Sequence, residues 1–473
     1  MMQPPYLDVQ PSPKASDLTA IGEHMFDLML RNVTSTKIVY ADPAHGDVLS
    51  KAGCVLASPS LPADLGSGWQ NYVHNWTRDA AITMMEIIAP GSPISDAEVA
   101  KRMSDYIEFA NLCQQSAPAH MFDIACFRID GKPRCEPAPP THCWSRQSDG
   151  PALQTLAILQ YFANLSGPTK DTARAVVTKN LEFLLNDSTD NDPPGPAYKA
   201  KTTSPWEEES GYSFFARAVQ LRCLQAVKAT PVDITPPAGL DQAIVWLEQR
   251  FDEHWNGEFY RTFSPDLTVT PPVDWAPPDP DRLPYDPNSD IVMACLYGAV
   301  EVTDPRLLAT AATIRDEYAD PRSANYYPVN GADNGRQMGP LLGRYPGDFY
   351  DGDVADSPDN KDHPWALCTC NLAELYYRLA KEITQHADLL SNDLTKRFFE
   401  QIELPPGATP DEAATALLDA GDSMLRAIIF HSDNLELSEQ FDRESGFQKS
   451  VSNLTWSYAT YLSAIRSRQL VGS

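Results

Sequence analysis

Trp206-Glu207-Glu208-Glu209-Ser210-Gly211-Tyr212-Ser213-Phe214-Phe215 places three consecutive carboxylates between a tryptophan and an apolar-periodic segment. The apolar positions continue as Ala218, Val219, Leu221 and Leu224, the spacing of one helix face. A solvated acidic run would continue into polar sequence, whereas this one enters a core. The acids are therefore expected to open a helix over 208–228. A carboxylate placed there loses water, and its pKa rises. A buried, protonated glutamate beside an indole suits a reaction that must protonate a poor leaving group at mild pH.

The same helical periodicity extends in both directions. Leu153, Leu156, Ala157, Leu159 and Phe162 follow Asp149-Gly150-Pro151, with Pro in the first turn. Trp365, Cys368, Leu372, Leu375, Tyr376 and Leu379 mark another helix. Thr409-Pro410-Asp411-Glu412 reads as a capping box ahead of Leu417, Met424, Leu425 and Ile428. Further helices are expected near 16–31, 77–89, 95–112, 170–186, 238–251, 289–302, 305–318 and 449–467. Strand signals are few. Proline gathers in connectors at 133–140, 193–197, 231–237 and 271–287. No low-complexity linker divides the chain, so residues 1–473 are read as one all-α domain whose connectors build a site on one face.

Composition narrows the function. A net charge of -27 and pI near 4.6 repel nucleic acid and anionic lipid, and suit a neutral substrate. No stretch of about 18 apolar residues is present, so no membrane span is expected. Met1-Met2-Gln3-Pro4-Pro5 shows no signal-peptide pattern. Cys113, Cys126, Cys135 and Cys143 cluster, and one or two disulfides are expected among them if the protein is exported. No CxxC pair occurs, which argues against zinc. Asp351, Asp353, Asp356 and Asp359 lack the spacing of a calcium loop and read as a solvated acidic loop.

Aromatic and charged residues recur together at helix edges, in Tyr72-Val73-His74-Asn75-Trp76-Thr77-Arg78-Asp79, Trp144-Ser145-Arg146-Gln147, Gly343-Arg344-Tyr345-Pro346-Gly347-Asp348 and Ser438-Glu439-Gln440-Phe441-Asp442. Charged side chains pair with vicinal hydroxyls, and aromatic faces cover the apolar faces of sugar rings. Two carboxylates beside a glycosidic bond do the chemistry of its hydrolysis. Each motif alone has an ordinary reading: first-turn acids on a helix dipole, a loop acid, a surface arginine, a core indole.

The order of the motifs adds more. Ala57-Ser58-Pro59-Ser60, Trp76-Thr77-Arg78-Asp79, Asp149-Gly150-Pro151-Ala152-Leu153, Trp206-Glu207-Glu208, Gly343-Arg344-Tyr345-Pro346, Pro364-Trp365-Ala366-Leu367, Ser438-Glu439-Gln440-Phe441-Asp442 and Leu454-Thr455-Trp456-Ser457-Tyr458 span nearly the whole chain. In these words and their order the chain resembles glucoamylases of glycoside hydrolase family fifteen. The resemblance implies an (α/α)6 barrel of six inner and six outer helices, with a pocket at one end. It implies exo-hydrolysis of α-glucosidic bonds in starch and malto-oligosaccharides, with inversion and release of β-D-glucose. By position, Glu207 corresponds to the general acid and Glu439 to the general base. Tyr72 would position the base or line the pocket. Arg78, Asp79 and Arg344 would hold the terminal glucose, and Glu208 would face the next sugar. Trp76, Trp144, Trp206 and Trp365 would supply aromatic walls. Asp348 and Trp456 also match family positions. No cofactor or metal is implied, and a secreted monomer is expected.

The chain departs from the family at Ser204-Pro205, where an Asp-Leu pair is usual, at Ser145-Arg146-Gln147, one residue shorter than usual, and at Val73-His74. These changes leave the preference between α-1,4 and α-1,6 bonds open. A relative acting on isomaltose or trehalose is the alternative enzyme. A non-catalytic glucan-binding barrel is the alternative outside enzymes, and the presence of both glutamates argues against it. A helical-repeat scaffold would show a fixed period, which is absent.

Overall fold

The computed structural model describes residues 15–33, 38–42, 45–60, 71–135, 143–230, 234–265, 285–353 and 362–471. Its helices, in chain order, begin with α1 (Ala15–Leu30), α2 (Thr77–Ile87), α3 (Asp96–Ser116), α4 (Asp149–Tyr161) and α5 (Gly167–Leu185). They continue with α6 (Phe214–Ala229), α7 (Leu240–Glu248), α8 (Asp290–Tyr297), α9 (Pro305–Ala319) and α10 (Pro328–Asn334). The last are α11 (Ala366–Glu382), α12 (Lys396–Gln401), α13 (Pro410–His431) and α14 (Thr455–Gln469).

Burial separates these helices into two rings. Most residues of α2, α4, α6, α8, α11 and α14 are buried, on every side of the helix. A helix that is buried all round must be enclosed by other helices. Each packs against the next in that order, and α14 closes the ring on α2. Outside, α1 packs on α14, α5 on α4, α7 on α6, α9 on α8 and α13 on α11, while α3 packs on α5. These outer helices expose one face, as the interrupted burial along α3, α5 and α13 shows. This is the (α/α)6 barrel expected from the sequence. One apolar core joins residues from Leu18 to Ile465. Thr409 and Glu412 form the expected capping box at the start of α13.

Because inner helices alternate with outer ones along the chain, all inner N-termini face the same end of the barrel. The connectors before them meet there. Short strands brace these connectors: His74–Trp76 pairs with Cys126–Arg128, and Gln440–Phe441 with Gln448–Lys449.

The acidic run corrects the expectation of a helix over 208–228. Helix α6 begins only at Phe214, where the Ser213 hydroxyl accepts from the Ala216 N–H. Ser210–Ser213 is instead a strand, paired with Thr202–Thr203 and Phe263–Ser264. Partners from two distant segments outweigh the local helical pattern. Gly211 suits the strand because a Cβ there would lie 2.5 Å from the Phe263 ring. Glu207 therefore sits in a turn, closed by Glu207 N–H to Ser204 O and Ser204 N–H to Glu209 O.

The cysteine cluster forms one disulfide, Cys135–Cys143, while Cys113 and Cys126 are buried free thiols. Asp351 is not solvated, contrary to expectation. It is buried, salt-bridged to Lys449 and hydrogen-bonded to His363. Asp356 and Asp359 lie outside the described residues.

Candidate active site

A cavity of about 370 Å³ opens among the inner N-termini. Its walls include Tyr72, Trp76, Arg78, Asp79, Trp144, Trp206, Glu207, Glu208, Arg344, Trp365 and Glu439, so every candidate drawn from the sequence meets in one place. Pro205, Phe349, Tyr350, Leu454, Trp456 and Ala57 complete it.

Glu207 is held from the sides of α2 and α4. The Trp76 indole N–H donates to Oε1 at 2.9 Å, and the Trp144 indole N–H donates to Oε2 at 2.6 Å. The Ser145 hydroxyl lies 3.3 Å from Oε1. The neighbouring indole expected from the sequence, Trp206, instead donates to Asn288 Oδ1 and anchors the turn. Glu207 has φ +67°, a left-handed conformation that is rare and costly for a residue with a Cβ. The turn and three side-chain partners hold it there. Burial pushes its carboxyl up from the ordinary value, against the nearby Arg78 guanidinium and the indole donors.

Glu439 lies on the α13–α14 connector. Tyr72 and Tyr350 hydroxyls donate to its Oε1 and Oε2, each at 2.9 Å, and Ser450 also donates to Oε2. The two phenols contact each other at 2.8 Å. Burial raises the Glu439 pKa, opposed by these three donors. The two glutamates share one property. Neither has an ion-pair partner within 4.0 Å among the described residues, although Glu439 is buried and Glu207 half-buried. A buried carboxylate without a counter-ion destabilises a fold and marks a functional site.

The remaining charges are paired. Arg344 is buried against Asp348, with Nε to Oδ2 at 2.7 Å and Nη2 to Oδ1 at 2.6 Å. Its Nη2 also reaches Glu208 Oε1 at 2.7 Å, and Glu208 accepts from the Tyr345 hydroxyl. The guanidinium lies 4.8 Å from the Trp365 ring centre and 5.1 Å from that of Tyr350. Arg78 donates to Gln147 Oε1 at 2.8 Å, to Asp149 Oδ2 at 3.3 Å and to the Pro205 carbonyl at 3.0 Å. Much of its donor capacity therefore ties α2, α4 and the acid turn together. Asp79 is paired more loosely: its Oδ1 lies 3.9 Å from Arg78 Nε, and that oxygen is buried and accepts no hydrogen bond. Burial pushes the Asp79 carboxyl up to about 7 despite the Arg78 cation.

Sequence reasoning missed Tyr350 and Ser450, both of which touch Glu439. Tyr350 lies two residues beyond Asp348 and could have been found by extending that motif. Ser450 carries no such signal, because it arrives with the β-hairpin after Glu439.

Comparison with known proteins agrees with this arrangement. The family model described as "Glycosyl hydrolases family 15" matches residues 24–466. The chain is 26% identical over 487 aligned positions to Glucoamylase GLA1 of Saccharomycopsis fibuligera, covering 89% of this chain and 85% of the relative. It is 24% identical to "Glucoamylase, intracellular sporulation-specific" of Saccharomyces cerevisiae, covering 89% of this chain and 79% of that one. The solved structure "Glucoamylase from Saccharomycopsis fibuligera at atomic resolution" superposes with a TM-score of 0.73 at 22% identity, over 98% of this chain and 97% of that chain. At that identity the likeness speaks for the fold.

Proposed function

The chain belongs to glycosyl hydrolases family 15, and from that membership and the pocket we propose that it is a glucoamylase, a glucan 1,4-α-glucosidase. It removes glucose from the non-reducing ends of starch and malto-oligosaccharides. The observation that carries this reading is the pair of glutamates, half-buried Glu207 and buried Glu439, without counter-ions among the described residues, in one aromatic-lined pocket. A pocket floored by the packed barrel core admits a chain end, which suits exo-attack.

In this reading Glu207 is the general acid. Its proton passes to the glycosidic oxygen as the bond to the anomeric carbon breaks. Glu439 is the general base. It takes a proton from water, and the resulting hydroxyl bonds to the anomeric carbon from the opposite face, inverting it to β-glucose. Tyr72, Tyr350 and Ser450 hold the Glu439 carboxylate in place. Asp79, which lines the cavity beside Arg78, binds hydroxyls of the terminal glucose. Arg344, fixed by Asp348, presents its guanidinium to the sugar, and Glu208 faces the next residue. Arg78 lines the pocket and positions the acid turn. Trp76, Trp144, Trp206 and Trp365 form the walls.

We read residues 1–473 as one catalytic unit, supported by the shared core from Leu18 to Ile465. Among the described residues no helix is long and apolar enough to cross a membrane. Secretion of a monomer is part of the proposal; the Cys135–Cys143 disulfide supports an oxidising compartment.

The test uses maltose, isomaltose and trehalose with proton NMR of the released sugar. β-Glucose appearing first from maltose, with slower or no release from the other two, supports the proposal. Initial α-glucose refutes inversion. Glu207→Gln should lose kcat by at least about 10²-fold while still binding substrate. Activity within a few-fold of the parent would reassign the acid to Glu208 or Glu209.

A further inference from the structure

Arg134 belongs to none of the motifs that identify the site, and it does not line the cavity. It lies behind the wall. Its guanidinium carbon is 3.9 Å from the Trp144 ring centre and 5.6 Å from that of Trp76. These two indoles donate to the two oxygens of Glu207. They also meet edge to face, with centroids 6.0 Å apart. Arg134 has no ion-pair partner within 4.0 Å among the described residues. A cation without a carboxylate partner among the described residues, beside a half-buried catalytic carboxyl, is unusual in a chain of net charge -27.

The backbone fixes this stack. The Arg134 N–H donates to the Cys126 carbonyl at 3.1 Å, and Cys126 pairs with Trp76 in the strand ladder. The Trp144 N–H donates to the Arg134 carbonyl at 3.0 Å. Next to both, Cys135 and Cys143 form an antiparallel bridge closed by the disulfide. The covalent link therefore joins the neighbour of Arg134 to the neighbour of Trp144.

We propose that Arg134 is a positioning residue for Glu207, acting through Trp144, and that the Cys135–Cys143 disulfide clamps it there. A cation on the face of an indole draws electron density from the ring and makes its N–H a stronger donor. That N–H then holds the Glu207 carboxyl in its left-handed turn. The positive charge also acts directly across the ring on the carboxylate, in the direction that lowers its pKa. Other charged groups facing this corner are Arg78 and Asp79 from α2, with Asp149 from α4 behind Arg78. On the strand side lie His74, Cys126, Arg128 and Asp42. His74 stays neutral across working pH, held at about 3 by burial and by Arg134. Arg78 is committed to Gln147, Asp149 and Pro205, whereas Arg134 stacks on the indole with no ion-pair partner among the described residues.

The proposal rests on the reading of Glu207 as general acid, and the experiment separates the two. The pH profile of kcat/KM on maltose is measured for Arg134→Met, Arg134→Lys, Cys135→Ser/Cys143→Ser and Glu207→Gln, with the melting temperature of each. Removing a nearby cation favours the neutral acid, so Glu207 stays protonated to higher pH. The alkaline limb of Arg134→Met should move up by roughly 0.5–1.5 pH units. Arg134→Lys should return it close to the parent, and the double cysteine variant should shift it in the same direction by less. A folded Arg134→Met whose limb stays in place, even with lower kcat, would overturn the proposal and leave a packing role only. Should Arg134→Met not fold, the double cysteine variant decides: a shifted limb supports the clamp, and an unshifted one overturns it. Retained activity in Glu207→Gln would instead remove the acid assignment, and the proposal with it.

Discussion

Tyr350→Phe removes one oxygen and tests the base assignment directly. In the parent, the Tyr350 hydroxyl donates to Glu439 Oε2 at 2.9 Å, beside Ser450 on the same oxygen and Tyr72 on the other. A hydrogen bond to a charged group contributes roughly 1.5–3 kcal/mol, which would correspond to about 1–2 units of carboxyl pKa. Two donors remain and can shorten, so the expected change is near the lower end, about one unit upward. The sign follows from the role. The base must be ionised, so its pKa sets the acidic limb of kcat/KM, and raising that pKa moves the limb to higher pH. At the pH where the parent is half-maximal, the variant should be about fivefold slower for a one-unit shift. On the plateau the two should agree closely. The ring stays, so its contact with Trp365, centroids 5.8 Å apart, is kept. The assay is initial-rate hydrolysis of maltose across pH with protein stability checked at each point. An unmoved acidic limb, or movement of the alkaline limb alone, would show that Glu439 is not the base.

The other predictions are independent of this one. Burial raises both glutamates, so the whole bell should sit above the ordinary carboxyl range, falling at low pH as Glu439 protonates and at high pH as Glu207 ionises; an optimum near or below pH 4 would contradict this. Asp79→Ala should lower kcat/KM on maltose by roughly 1.5–3 kcal/mol, because a carboxyl group lining the sugar pocket is lost; an unchanged value would remove Asp79 from the substrate site. Arg344→Ala should weaken substrate use similarly and also destabilise the fold by about 3–5 kcal/mol in denaturant melts, because Glu208 and Asp348 lose their buried cation. Thr409→Ala should cost about 1 kcal/mol of stability through the lost α13 cap and leave kinetics unchanged.

Much of this protein is legible in its sequence because the informative patterns are local. Helical periodicity depends on neighbours one turn apart, so α4, α11 and α13 are readable from Leu153–Phe162, Trp365–Leu379 and Leu417–Ile428. The motif words sit in connectors just ahead of inner helices, and a barrel that alternates inner and outer helices brings those connectors to one end. That is why the candidates named from sequence all line one cavity. The tertiary structure decided what depends on segments far apart in the chain. Ser210–Ser213 became a strand because Thr202–Thr203 and Phe263–Ser264 offered it hydrogen bonds that a local helix pattern cannot foresee. The indoles on Glu207 proved to be Trp76 and Trp144 rather than its neighbour Trp206, since the left-handed turn points the carboxyl away from Trp206 and toward α2 and α4. Tyr350 and Ser450 reached Glu439 through the closure of the ring and a β-hairpin. Residue type announces which groups can do acid–base chemistry, but their donors, burial and ionisation follow only from which loops the closed ring brings together.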